Sequence, residues 1–258
     1  RAAFAGVTGK LKPHVKLPLI ATNRINMPDV AEQILANGQA DMISMARPLL
    51  ADAQWPNKAK AGKTHLINTC IACNQACLDH VFENKKASCL VNPRACRETE
   101  LNYPPTTVKK RIAVVGSGPA GLSFATVAAG RGHDVTLFDA ASEIGGQFNY
   151  AKRIPGKEEF HETLRYYGNL LAETGVSVKL GHTVDATQLQ QARFDEIVIA
   201  TGITPRGLRL PGSDHPKVLG YLDVLRDDAP IGKSVAIIGA GGIGFDVAEF
   251  LLHMQSAG

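Results

Sequence analysis

Apolar residues in this chain occur either as short solid runs or as longer stretches with a helical period, and the order of the two sets the fold class. Residues 17–22 (LPLIAT) are a short apolar run that ends at a polar loop over 23–26. PDVAEQILANG then reads as a helix, with Pro28 suited to the first turn and Gly38 to the stop. ADMISMA is a second buried strand, and RPLLADAQWPNKAKAG another loop and helix. Strand, helix, strand, helix is the pattern of a parallel α/β sheet. Two such units cannot close a sheet or barrel, so further strands are expected upstream of Arg1.

The periodicity is lost over 65–105, which is rich in cysteine, and the tandem Pro104 and Pro105 mark a boundary. Beyond it RIAVV is a strand, GSGPAG a turn, LSFATVAAGRG a helix and DVTLFD a second strand, making a βαβ unit. EEFHETLRYYGNLLAE is helical, and FDEIVIATG is another buried strand. A repeat follows. SVAIIGAGGIGFDVAEFLL has the register of RIAVVGSGPAGLSFATVAA, so Gly239, Gly241 and Gly244 stand where Gly116, Gly118 and Gly121 stood.

A GxGxxG triplet alone is weak evidence, because glycines also mark ordinary turns. Here the first copy follows an apolar strand, opens a helix, and precedes Asp139 by about 20 residues, at the end of the next strand. Gly116 permits the tight turn, Gly118 lets the backbone approach a pyrophosphate, and Gly121 lets helix pack on strand. Free N–H groups at the helix start face the phosphates, and Asp139 accepts hydrogen bonds from a ribose. EIGGQF (143–148) and the ATG that ends FDEIVIATG resemble flavoprotein signatures. In two-dinucleotide flavoprotein reductases the first GxGxxG takes FAD and the second a nicotinamide cofactor, and the order here matches.

Composition narrows the classes. The chain has 258 residues, 45% of them apolar, and a formal charge of +4 spread without a basic block, which suits phosphorylated ligands and gives no sign of nucleic acid binding. No apolar run nears the roughly 20 residues of a membrane span, and no signal peptide is visible. The sequence starts at Arg1 without methionine and stops at Gly258 just after opening its second nucleotide motif, so both ends read as cut.

Four of the five cysteines fall within twenty residues, at Cys70, Cys73, Cys77 and Cys89. Offsets of three and four let one compact loop point three thiolates the same way, and Cys89 returns later. Such clustering reads as metal binding in a reducing cytoplasm, since a secreted disulfide framework scatters its cysteines. On ligand type alone, a [4Fe–4S] cluster and a structural zinc both remain open. Cys96 reads as a small buried thiol, the eight histidines show no metal spacing, and Tyr166 and Tyr167 read as packing or surface residues.

The combination TNRI, MARPLL, CIACNQACLDH, SCLVNPRAC, VVGSGPAG, EIGGQF, IPGKEEF, LRYY, HPKVL, YLDVL and AIIGAGGIGFD resembles the bacterial-type NADPH-dependent 2,4-dienoyl-CoA reductases. Their wider group includes trimethylamine dehydrogenase and other barrel flavoproteins related to old yellow enzyme. The resemblance implies four segments: the last βα units of a TIM barrel over 1–64, an iron–sulfur segment and linker over 65–107, a Rossmann-like FAD domain over 108–206, and the start of a Rossmann-like NAD(P) domain over 207–258. It further implies that Arg24, Ala46 and Arg47 cradle the FMN phosphate, on the loops where a TIM barrel binds phosphate. Cys70, Cys73, Cys77 and Cys89 would hold a [4Fe–4S] cluster. Gly116, Gly118, Ala120, Gly121, Asp139 and Gln147 would hold FAD, and Gly239, Gly241 and Gly244 would open the NADPH site.

The activity implied is electron transfer from NADPH through FAD and the cluster to FMN, which reduces a 2,4-dienoyl-CoA to an enoyl-CoA in unsaturated fatty acid β-oxidation. The cluster is needed because FAD and FMN exchange hydride pairs at separate sites, whereas a cluster carries single electrons. The family's substrate proton donors fall upstream of Arg1, so the isolated chain is expected to lack dienoyl-CoA reduction. A related enoate reductase or amine dehydrogenase with the same relay, or an electron-transfer module or inactive fragment, are the alternatives. NADH and NADPH are not distinguished, because the discriminating residue would follow Gly258.

Overall fold

The computed structural model describes residues 1–207 and 209–256. They divide into two compact units. The first comprises Arg1–Pro104 with Arg165–Leu170, and the second comprises Pro105–Leu164 and the chain from Leu171 onward.

In the first unit α1 (Ala5–Leu11) leads to β1 (Ile20–Ala21), α2 (Pro28–Ala36), β2 (Met42–Ile43), α3 (Arg47–Ala51), α4 (Trp55–Lys60) and, inside the cysteine segment, α5 (Leu78–Phe82). Pro28 occupies the first turn of α2, where a missing N–H costs nothing, and Gly38 follows the helix at φ +64°. A loop and one helix were expected over residues 47–62; two short helices form instead. Each has proline in its first turn, and they are separated by Asp52 in an extended conformation. β1 and β2 pair in parallel, Ile20 beside Met42 and Ala21 beside Ile43. The expectation that ADMISMA is a buried strand is corrected: only two residues ladder, and Met42 is 49% exposed because the described sheet has just two strands. The core beneath them is Ala5, Ala21, Ile25, Ala31, Ile34 and Ala40.

The second unit holds β3 (Arg111–Val115), α6 (Pro119–Gly130), β4 (Asp134–Phe138), α7 (Phe148–Ala151), α8 (Phe160–Thr174), β5 (Ser177–Lys179), α9 (Ala186–Gln191), β6 (Glu196–Ile199), α10 (Tyr221–Leu225) and α11 (Gly242–Ser256). The stretch Arg165–Leu170 of α8 groups with the first unit. All four strands of its sheet are parallel, in the order β5-β4-β3-β6. Ile112, Ala113 and Val114 are all buried, as a central parallel strand covered on both faces requires. β6 was expected to be buried as well, but it is an edge strand here, with Ile197 41% and Ile199 66% exposed.

Helix α8 ends at Gly175, whose left-handed φ of +72° lets its N–H reach the Ala172 carbonyl and the Val176 N–H reach Leu171. A second core, Ile154, Val224, Leu225, Val247, Phe250 and Leu251, packs α10 against α11. The strand expected before Gly239 does not form: residues 234–238 have no ladder partner among the described residues, and Ile238 is 68% exposed. No described helix is long and apolar enough to cross a membrane.

Leu122 in α6 is fully buried, whereas Phe245 in α11 is 68% exposed. Leu122→Ala should therefore cost about 2–5 kcal/mol in denaturant unfolding, and Phe245→Ala no more than about 0.5 kcal/mol.

Candidate functional site

Three separate sequence motifs meet at the turn between β3 and α6. Gly116 sits at φ +107°, and a Cβ there would lie 2.2 Å from the Ala200 carbonyl oxygen, so the turn can lean on the end of β6 only as glycine. A Cβ on Gly121 would lie 1.8 Å from the Gly116 carbonyl oxygen, which makes the first turn of α6 equally intolerant. The EIGGQF loop closes from the other side. Gly145 donates to the Ser117 carbonyl at 2.8 Å, and a Cβ on Gly146 would stand 3.1 Å from the Gly118 Cα. Gly118 itself has open space where its Cβ would be, just where the α6 N–H groups point outward. An open helix start of this kind is one at which an anion can meet free N–H groups.

Asp139 follows β4 and faces this turn. Its Oδ2 accepts from the Ser117 N–H at 2.5 Å and the Ser117 hydroxyl at 2.6 Å, and its Oδ1 accepts from the Ala141 N–H at 2.8 Å. Burial alone would raise its pKa, but these hydrogen bonds outweigh burial and hold the carboxyl below the ordinary aspartate value. Three of about four acceptor positions are thus used, leaving room for one ribose hydroxyl. Ser117, a fully buried residue at a variable position of GxGxxG, was not singled out in the sequence. Ala120 lies exposed in the first turn of α6, and Gln147 caps α7 while accepting the Tyr221 hydroxyl at 3.2 Å.

The second glycine set reproduces the turn without its strand. Gly239 has φ +113°, a Cβ on Gly244 would meet the Gly239 carbonyl oxygen at 2.3 Å, and Gly241 opens onto free space. The backbone angle of Gly116, the Gly121 contact and the open side of Gly118 are thus repeated, but a Cβ on Gly239 would meet nothing within 4 Å, so the contact of Gly116 with the end of β6 has no counterpart.

In the first unit the cysteine segment is mostly irregular, and groups outside it hold its main chain. Asn26 donates to the Cys70 carbonyl at 3.0 Å and is itself fixed by Trp55, whose indole N–H donates to the Asn26 carbonyl at 2.9 Å. Asp52, 6% exposed, pairs with Lys58 at 2.6 Å and accepts the Asn68 N–H at 2.9 Å. The limb entering Cys70 is tied to the limb leaving Cys89 by the Asn68 amide, which donates to the Val91 carbonyl at 2.7 Å. Asn92 reaches back to the Leu50 carbonyl at 2.8 Å. Ala72 and Asn74, between the first three cysteines, take left-handed φ of +56° and +61°.

All five cysteines are free thiols. Burial pushes the Cys70 thiol up, and Cys73 and Cys77 push it further, against the opposing pull of the Ala72 N–H and the Arg47 charge. Burial likewise raises Cys89, with Cys70 and Cys73 adding to it against N–H groups of Val91 and Asn92. Cys70 thus feels Cys73 and Cys77, and Cys89 feels Cys70 and Cys73, which places the four sulfurs in one neighbourhood where a bound cationic centre would favour the thiolates. Among the described residues no group of three or more His, Cys, Asp or Glu is arranged to hold a single metal ion. A tetrahedral zinc with Zn–S near 2.3 Å needs sulfurs about 3.8 Å apart. An iron–sulfur cluster binds each thiolate to a different iron and so does not need four sulfurs around one ion, and an all-cysteine donor set fits it. The Ala72 N–H, 3.4 Å from the Cys70 sulfur, is the kind of contact that tunes such a cluster. Cys96 lies half-buried at φ +60°.

Arg24 and Arg47 follow the C-terminal ends of the adjacent parallel strands β1 and β2. Both are half-buried, Ala46 is the exposed residue before α3, and Arg24 takes a left-handed φ of +53°. Arg47 donates to the Asn74 side chain, so one guanidinium links the end of β2 to the cysteine loop. Tyr166 is packed near Lys58, whose ammonium stands 5.8 Å from its ring centroid, and burial pushes its phenol up.

Two family models match the chain. Residues 3–65 match the NADH:flavin oxidoreductase / NADH oxidase family. Residues 110–257, more than half of the chain, match pyridine nucleotide-disulphide oxidoreductase. The chain belongs to the pyridine nucleotide-disulphide oxidoreductase family. That family's segment contains both glycine cradles, Asp139 and the EIGGQF loop, while the flavin oxidoreductase segment contains Arg24, Ala46 and Arg47. A metal reductase of Desulforamulus reducens is 42% identical over 96% of this chain and 38% of its own length. An NADH oxidase of Thermoanaerobacter brockii is 37% identical over 94% of this chain and 38% of its own. The solved 2-naphthoyl-CoA reductase in complex with 2-naphthoyl-CoA superposes with a TM-score of 0.94 at 34% identity, over 98% of this chain and 39% of that one. The chain thus spans well under half the length of the relatives it matches.

The two glycines of the first cradle should fail differently. Gly121→Ala, with a carbonyl in the way, should lower thermal stability and FAD content together, whereas Gly118→Ala should keep the melting temperature of the flavin-free protein and lose FAD affinity. Flavin absorbance after gel filtration, alongside thermal unfolding of the flavin-free proteins, measures both.

Proposed function

We propose that this chain carries the electron relay of a flavin oxidoreductase that draws electrons from a nicotinamide dinucleotide and delivers them to a 2,4-dienoyl-CoA thioester. The observation that carries the reading is the gathering of Cys70, Cys73, Cys77 and Cys89 in one neighbourhood of a protein that also has two dinucleotide-type glycine turns. When bound, FAD, a [4Fe–4S] cluster and FMN supply the conversion of hydride pairs into single electrons and back. The chain's own residues position those groups. Gly116, Gly118 and Gly121, with Ala120, leave the start of α6 open to the FAD pyrophosphate. Asp139 offers its remaining acceptor position to the adenosine ribose, and Gln147 borders the same site. Gly239, Gly241 and Gly244 shape the nicotinamide dinucleotide turn. Arg24 and Arg47, with the Ala46 backbone, hold the FMN phosphate, and Cys70, Cys73, Cys77 and Cys89 ligate the cluster.

The substrate class rests on the dienoyl-CoA reductase resemblance and is supported by the likeness to a 2-naphthoyl-CoA reductase, another enzyme that acts on an aryl or acyl thioester of CoA. NADPH is the expected donor. Segments 1–64, 65–107, 108–206 and 207–258 are assigned to FMN, cluster, FAD and NADPH in turn. Five free thiols suit a reducing, cytoplasmic setting.

Anaerobic purification followed by iron, acid-labile sulfide, zinc and flavin analysis tests the proposal. About four irons and four sulfides per chain, as a [4Fe–4S] cluster demands, should accompany FAD, and Cys73→Ser should lose the iron while keeping the FAD. Zinc in place of iron would make the cysteine loop a structural brace and sink the relay.

A further inference from the structure

One side chain grips the limb that runs into Cys70 along a whole edge. Arg165 donates from Nη1 to the His65 carbonyl, and from Nη2 to the Ile67 carbonyl at 2.7 Å and the Thr69 hydroxyl at 3.2 Å. His65, Ile67 and Thr69 alternate along the chain, and the last two are fully buried. Residues between them are held by other groups: Lys58 donates to the Leu66 carbonyl at 2.8 Å, and Asn68 is fixed by Asp52 and Val91. The limb is therefore held by side chains at every residue from His65 to Thr69, and the next residue is Cys70. Arg165 lies within the first compact unit although 95 residues separate it from Cys70 in sequence. It is not among the residues assigned above to any cofactor.

We infer that Arg165 is a positioning residue for the cysteine set, fixing through the His65–Thr69 limb the direction in which the chain presents the Cys70 sulfur. The inference rests on the reading of the four thiols as cluster ligands. A planar guanidinium fork suits two carbonyls and a hydroxyl on one edge, whereas a lysine ammonium keeps the charge without the fixed geometry. Groups that orient metal ligands without touching the metal commonly change metal retention about 10–100-fold when removed.

The test compares wild type, Arg165→Lys and Arg165→Met, each loaded anaerobically with iron and sulfide. Three quantities are read: the rate of iron release to a chelator, the electron paramagnetic resonance spectrum of the reduced protein, and FAD content. Arg165→Met should release iron about tenfold faster or more and shift the spectrum while retaining wild-type FAD, and Arg165→Lys should fall between. Wild-type iron release and spectrum in Arg165→Met would overturn the inference. Parallel loss of FAD and iron would also overturn it, because that marks a general folding defect. A wild-type protein that takes up no iron would defeat the cluster reading itself, and the inference with it.

Discussion

A loop that gathers four thiols cannot hold its own shape. Between Leu66 and Cys96 the only helix is the five-residue α5, so most backbone N–H and C=O groups there have no regular partner. Buried groups of that kind must be paired, at a cost of about 1–3 kcal/mol each if they are not. Here Asn26, Asp52, Lys58, Asn68, Asn92 and Arg165 pair them, Asn92 by accepting the Arg94 N–H, and four of the six come from outside the segment. The Asp52–Lys58 pair is costly to bury, and it is retained where Asp52 also takes the Asn68 N–H. The main chain that leads into Cys70 is therefore held largely by residues that do not belong to the cysteine motif.

The glycine turn between β3 and α6 meets a different constraint, which is space. Gly116 touches the end of β6 and Gly121 touches Gly116, so two of the three motif glycines are fixed by backbone contacts within the protein itself. Only Gly118 faces open space, and it is the glycine that a ligand would approach. Asp139 adds a negative charge that Ser117 draws toward the turn. The second copy keeps the contact between its first and third glycines but not the one between the first glycine and a neighbouring strand, in line with residues 234–238 having no ladder partner among the described residues.

What could be read from the sequence follows from these two kinds of constraint. β3, β4 and α6 were legible because solid apolar runs and glycine spacing are local signals, and α2 because Pro28 and Gly38 mark its ends. β6 was legible as a strand but not as an edge, since IVIA has the same composition in either place. The stretch before Gly239 shows the converse: an apolar run is a strand only if a neighbour offers a ladder. Arg165, Asp52 and the asparagines escaped notice because a side chain that serves the main chain of a distant loop has no period and no motif. Ser117 was hidden for a similar reason, as it fills a position the glycine pattern leaves free.

The most direct measurement is an anaerobic reductive titration of the cofactor-loaded protein, following FAD absorbance and the electron paramagnetic resonance of the reduced cluster together. If the chain is an electron relay, the cluster signal should rise as the FAD absorbance falls, with the two exchanging electrons at equilibrium. Full bleaching of FAD with no cluster signal at any stage would contradict a relay between them.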